Sequence, residues 1–370
     1  MKGRIFMVLW GGVLLVGFLG AGNSWGGPLI IDHTCTDLSI IPNDWIDSVK
    51  AKCKLHYAHT SHGSQLTTGM ARIETNNSFY AVAINYSSLP TEANVFCIFD
   101  GQESVTYITP DLYWRTQDGM NRTRNVLNHN PSIKYSMWSW CCQLTSYSVA
   151  QVQAYLDSIT KLETEYPNVT FIYMTCNAQE TGGGGYNRHL RNQQIRQYCN
   201  TNNKVLFDFA DLDAWWYNPG TSNWEFASYS YNDSTIPVEH SHFNGNEAGH
   251  TTYESCEQKG KAVWWMFAVL AGWKDSVGIE ENANREIQNA ELQANPNPFV
   301  QTTFIGYQLS ANSQPLSAPK IQIYDMGGRL VEVAKDNIIG KDLEAGIYFV
   351  KVDGKALKKI VKLSKLTFTQ

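Results

Sequence analysis

Between residues 27 and 275 short apolar runs alternate with amphipathic stretches, and this alternation constrains the fold more than any other feature of the chain. The runs are 54–60, 95–100, 133–140, 169–176 and 204–210, each short enough for a strand and apolar enough to be buried. Between the third and fourth, Val149, Val152, Leu156, Ile159 and Leu162 fall at helical spacing, Ser148 with Gln151 forms a capping box, and Pro167 ends the helix. A last helix, about 254–272, runs through Ala262-Val263-Trp264-Trp265-Met266-Phe267 and is apolar nearly all round, which implies burial against a sheet. Strands alternating with helices predict an α/β, flavodoxin-like, three-layer α/β/α fold with a parallel sheet over 27–275.

The two ends of the chain differ from this middle. Lys2 and Arg4 precede an apolar stretch from Ile5 to about Ala21 and small residues up to Ser24, the layout of a secretory signal peptide over 1–24. A membrane anchor would need roughly 20 unbroken apolar residues; this stretch is shorter and interrupted by glycine, and no later one is long enough, so no membrane span is expected in the mature protein. A net charge of -5 offers no basic field to nucleic acid. Eight cysteines, Cys35, Cys53, Cys97, Cys141, Cys142, Cys176, Cys199 and Cys256, predict at least one disulfide in an exported protein, with Cys97 and Cys176 the candidates for buried free thiols. Residues 276–295, rich in Glu, Asn, Gln and Ala, read as a linker. Over 296–370 short alternating strands at 303–307, 320–324, 346–352 and 358–363, with the turn Asp325-Met326-Gly327-Gly328, predict a small antiparallel, Ig-like β-sandwich.

Four blocks of that C-terminal segment resemble the sorting domain of the type IX secretion system: Asn295-Pro296-Asn297-Pro298-Phe299, Ile323-Tyr324-Asp325 with Gly327-Gly328-Arg329, Ala345-Gly346-Ile347-Tyr348-Phe349-Val350, and Lys358-Lys359-Ile360-Val361-Lys362. The tail Ser364 to Gln370 runs beyond the usual basic ending. The resemblance implies a domain without catalysis, the secretion machinery as partner, and passage through the periplasm to release or surface attachment.

The run Lys54-Leu55-His56-Tyr57-Ala58 continues into His59-Thr60-Ser61-His62-Gly63-Ser64, placing Ser61 at the carboxyl end of a strand, where α/β enzymes keep nucleophiles. By the order of its blocks the domain resembles the SGNH hydrolases, relatives of the GDSL esterases. That resemblance implies Ser61 as nucleophile, with Ser64 as alternative, and Asn177 of Thr175-Cys176-Asn177 as oxyanion donor. Where the family has a glycine after the third strand the chain reads Cys141-Cys142, so the second donor would be the backbone N–H of Cys142. The resemblance further implies His250 or His242 as base, since Glu247-Ala248-Gly249-His250 and Glu239-His240-Ser241-His242 both carry the family's acid three residues before a histidine, with Glu247 or Glu239 orienting the ring. The expected activity is ester hydrolysis through an acyl-enzyme, without a cofactor, on an acylated substrate taken to be a polysaccharide. Two other readings use other residues. His59 and His62 with His240, His242 or His250 supply nitrogen ligands for a hydrolytic zinc. Trp215-Trp216-Tyr217, Trp224 and Tyr229 supply stacking surfaces for a glycan-binding protein without catalysis.

Overall fold

A computed structural model describes residues 27–274 and, further on, 293–295, 303–306, 321–325, 330–334, 338–341, 343–352 and 356–362. The expected signal peptide, most of the expected linker and the Asp325-to-Gly328 turn beyond Asp325 lie outside the described residues. The chain divides into two compact units, Met1–Trp273 and Lys274–Gln370.

Seven strands form the central sheet of the first unit: β1 (Leu29–Ile31), β2 (Lys54–Ala58), β3 (Val82–Asn85), β4 (Phe96–Asp100), β5 (Tyr135–Trp138), β6 (Thr170–Met174) and β7 (Val205–Phe207). Their order is β1-β7-β6-β5-β2-β4-β3, and every neighbouring pair is parallel. All five predicted runs are strands of this sheet, and the sheet gains β1 and β3 at its two edges. The buried central strands carry the apolar signal: Phe96–Asp100 is buried at every position, whereas Val82–Asn85 is buried at none.

The helices are α1 (Asn43–Lys52), α2 (Ser64–Asn76), α3 (Pro110–Tyr113), α4 (Gln117–His129), α5 (Val149–Glu165), α6 (Gly182–Thr201), α7 (Phe209–Ala214) and α8 (Tyr253–Leu270). From β2 the chain moves towards β4 and β3, and from β5 towards β6 and β7. Right-handed crossovers therefore send α2 to one face and α5 and α6 to the other. Counting only the five central strands, the order is that of the doubly wound flavodoxin-like sheet, and its direction reverses between β2 and β5. The capping box at Ser148 is formed, Ser148 Oγ accepting from Gln151 N at 3.3 Å and Gln151 Oε1 accepting from Ser148 N at 2.8 Å. Helix α8 is buried almost all round because α2 packs against it at a glycine crossing: a Cβ at Gly69 would lie 1.8 Å from the Cys256 carbonyl oxygen.

Two antiparallel hairpins follow α7: β8 (Trp215–Asn218) with β9 (Asn223–Phe226), and β10 (Ser228–Tyr231) with β11 (Ser234–Pro237). Among its described residues the second unit is all-β. Strands β12 (Gln293–Asn295), β13 (Thr303–Gly306) and β16 (Ile338–Ile339) form one antiparallel sheet; β14 (Ile321–Asp325), β15 (Leu330–Ala334), β17 (Gly346–Val352) and β18 (Ala356–Lys362) form another. Ile321, Ile323, Ile339, Val350 and Ile360 make its core, drawn from both sheets.

Candidate functional site

Past the end of β2 the chain turns through Ser61–Gly63 directly into α2. The turn is tight because Gly63 has no Cβ: one there would lie 2.2 Å from His59 Cβ, and the Tyr57 hydroxyl donates to the Gly63 carbonyl at 2.8 Å. Beyond β5 the chain reaches Cys141, across the reversal point of the sheet from this turn. Open α/β sheets bind ligands in the crevice that such a reversal leaves at the carboxyl ends of the strands. Here it gathers Ser61, His62 and Cys141. His62 Nδ1 lies 2.9 Å from Cys141 Sγ, Ser61 Oγ lies 3.4 Å from the same sulfur, and His62 Nε2 lies 2.7 Å from Gln179 Oε1.

The partners of Gln179 fix the orientation of this array. Its Nε2 donates to Glu239 Oε1 at 3.1 Å and to the His250 carbonyl at 2.6 Å, acceptors both, so Oε1 must face His62. His62 Nε2 therefore carries a proton, and Nδ1 is the nitrogen that exchanges one with sulfur. Cys141 is equally well held: its N–H donates to Gln143 Oε1 at 2.7 Å, and its carbonyl accepts from the Cys176 thiol at 2.7 Å and from Asn177 Nδ2.

Hydrogen bonding from the adjacent Cys142 thiol, and then from His62 and Ser61, holds the Cys141 thiol far below its ordinary value. Cys142 is pushed up correspondingly, chiefly by its bond to Cys141. Burial would depress His62, but its bonds to Cys141 and Gln179 outweigh that and leave it raised. Glu239, behind Gln179, is pushed up to about 7 by burial and by the charge of Asp213. Asp213 itself pairs with Lys259 at 2.7 Å with both side chains buried, and its other oxygen accepts from Ala178 N at 2.8 Å. This buried network supports the loop that carries Asn177 and Gln179.

The structure separates the sequence candidates. His250 follows Gly249, both with left-handed backbone (φ 70° and 55°), and its ring lies 4.8 Å from that of His62. A Cβ at Gly249 would lie 3.0 Å from the Ser61 carbonyl, so this loop closes over the Ser61 turn. His242 instead lies flat on Trp216 at 3.7 Å, in a stack that also holds His240. Neither expected acid is paired with its histidine. Glu247 Oε2 accepts from Tyr253 N at 2.7 Å at the start of α8, and Glu239 Oε1 accepts from Gln179 and Thr251. Asn177 anchors the Cys141 carbonyl, and Cys142 is exposed with its sulfur 3.7 Å from that of Cys141. Ser64 Oγ donates to the Ser61 carbonyl at 2.7 Å.

Two expectations are corrected. The five histidines proposed for zinc do not converge: His59 Nε2 pairs with buried Asp100 at 2.8 Å, His240 and His242 stack on Trp216, and His62 and His250 form a separate neighbouring pair. Cys53, Cys97, Cys141, Cys142, Cys176, Cys199 and Cys256 are free thiols, five of them buried, so no two of these form a disulfide. Of the aromatic residues after β7, Trp215 stacks on His33 at 4.5 Å, Trp224 meets the same ring edge-on at 4.8 Å and Tyr217 packs edge-on against Trp224, whereas Trp216 is buried and Tyr229 Oη donates to the Gly182 carbonyl; Tyr217 and Phe226 are exposed.

Sequence reasoning passed over Cys141 and Gln179, and used His62 only as a zinc ligand. Cys141 stood in plain sight beside Cys142 at the end of a strand. The signal that separates the two is a side-chain direction set by the turn after β5, which letters do not carry.

Residues 293–365 match the secretion system C-terminal sorting domain family, the sorting domain of type IX secretion, so the protein is secreted or held at the cell surface and that machinery is its partner. No SGNH or GDSL hydrolase family is matched, and no curated protein matches the chain. Among the described residues no helix is long and apolar enough to cross a membrane.

Proposed function

We propose that the protein is a secreted acyl-transfer hydrolase that cleaves ester bonds through a covalent acyl-enzyme formed in the crevice between β2 and β5. The observation that carries this reading is the bond between His62 Nδ1 and Cys141 Sγ, with Gln179 fixing the far side of the ring. A nucleophile, a base in hydrogen-bond contact with it and a third group orienting the base are the parts that covalent hydrolysis needs. The Cys141 sulfur attacks the ester carbonyl, His62 gives its proton to the departing alcohol, and a water activated by His62 then hydrolyses the thioester and regenerates the thiol.

Ser61 is the second nucleophile, favoured by its place after β2 and by its distance of 3.4 Å from Cys141. In that reading His250, beside His62, is the base. Export and the exposed Tyr217 support an acylated extracellular polymer, a polysaccharide, as substrate. The test is hydrolysis of a short-chain aryl acetate by the mature protein, by Ser61→Ala and by Cys141→Ala, each with and without a chelator. Loss of activity in Cys141→Ala but not in Ser61→Ala supports the thiol reading; the reverse supports the serine one. Full activity in both variants would refute the proposal.

A further inference from the structure

Two adjacent residues in extended chain point their side chains to opposite sides, yet Cys141 and Cys142 bring their sulfurs to 3.7 Å of each other. The turn at Cys142, with φ −111° and ψ 6°, puts both thiols on one side. His62 Nδ1 faces the same point, and the two sulfurs and a His62 ring nitrogen all lie within 4.8 Å of one another. We propose that His62, Cys141 and Cys142 form a binding site for a zinc-class divalent cation.

The geometry fits that ion. With metal–sulfur bonds of about 2.3 Å at tetrahedral angles, two thiolates on one zinc stand about 3.8 Å apart; the two sulfurs already stand at 3.7 Å. With a metal–nitrogen bond of about 2.0–2.1 Å, an imidazole nitrogen stands about 3.5 Å from each sulfur. His62 Nδ1, now 2.9 Å from Cys141, has to withdraw by only about 0.6 Å as the shared proton is replaced by the metal. Gln179 already bonds the other ring nitrogen, as an outer partner of a metal-bound histidine does. One imidazole and two thiolates select soft or borderline ions over calcium and magnesium. Cys142 is exposed and Cys141 half-buried, so an ion has a path in, and the exposed His250 ring beside His62 leaves a fourth position for its own nitrogen or for water. Binding releases the protons that the ligands share to solvent.

This site does not depend on the hydrolytic reading, and its test does not use activity. The full mature chain, reduced and metal-free, is titrated with cobalt(II) alone and then with zinc(II) alone. The expected result is one ion per chain, a near-ultraviolet thiolate-to-cobalt band, and displacement of cobalt by zinc. Cys142→Ser should lose about half of that band and bind more weakly by at least the roughly 10–100-fold that losing a mere supporting group costs. In the unaltered protein, zinc should shield Cys141 and Cys142, but not other reactive thiols, from alkylation mapped by mass spectrometry; this arm needs no variant to fold. Cobalt bound without a thiolate band, a Cys141→Ser/Cys142→Ser protein that binds as the parent does, or alkylation unaffected by zinc would each overturn the proposal.

Discussion

Replacing Gly69 by alanine should unfold the first unit more easily and loosen the site, although alanine is the better helix former. The added Cβ would lie 1.8 Å from the Cys256 carbonyl oxygen and 2.5 Å from its carbon, both backbone atoms of α8. No rotamer relieves this, so α2 and α8 must separate by about 1.6 Å to restore an ordinary contact. Overpacking of this kind costs about 1–3 kcal/mol, and a rigid backbone neighbour places Gly69 at the upper end. Helix propensity returns about 1 kcal/mol. A net loss of about 2 kcal/mol corresponds to a fall in Tm of roughly 4–8 °C for a unit of this size. The two helices also carry the site, since α2 starts just after His62 and α8 just after His250. All twelve tryptophans lie before residue 274, so tryptophan fluorescence follows this unit without interference from the other. Gly183→Ala in α6 is the control, because the nearest atom to its new Cβ is the end of the Tyr231 side chain at 3.2 Å. A Gly69→Ala protein as stable as the parent, or no less stable than the Gly183→Ala control, would refute the argument.

Lys259→Met should cost about 3–5 kcal/mol by leaving Asp213 charged and buried. The double variant Lys259→Met/Asp213→Asn should be more stable than the single one in urea unfolding, and equal loss in both would contradict the role given to the pair. Glu239 is raised from 4.5 to about 7 in the folded protein, so the stability that its protonated form contributes is complete below pH 4.5 and is lost as pH rises through 7. Glu239→Gln should therefore flatten the decline in stability between pH 5 and pH 8 measured by thermal melting; an unchanged slope would count against it. Gly249→Ala forces a left-handed backbone on alanine, at about 1–2 kcal/mol. It should also reduce ester hydrolysis by pressing on the Ser61 carbonyl, as kinetics on the folded variant would show.

The legible part of the fold was its buried middle. Strands such as Phe96–Asp100 are buried on both faces and write themselves as apolar runs, and the capping box at Ser148 is a local pattern with a local cause. The edge strands Leu29–Ile31 and Val82–Asn85 were not legible, being three and four residues long and held in place by pairing with β7 and β4. At the site, the position of Ser61 and the neighbourhood of His250 followed from order along the chain. The bonding did not: an acid three residues before a histidine looks like an orienting pair, yet Glu247 is spent on the first turn of α8 and Glu239 on Gln179. His62 meets Cys141 across 79 residues of sequence, and nothing local in either segment announces the contact.

Trapping the acyl group tests the central claim most directly. The mature protein is mixed with an aryl acetate, quenched in acid and digested, and the acetyl group is located by mass spectrometry. The account predicts a thioester on Cys141, absent from His62→Ala at the same time of quenching. An acetyl group on Ser61 with Cys141 unmodified would contradict it and transfer the chemistry to the hydroxyl 3.4 Å away.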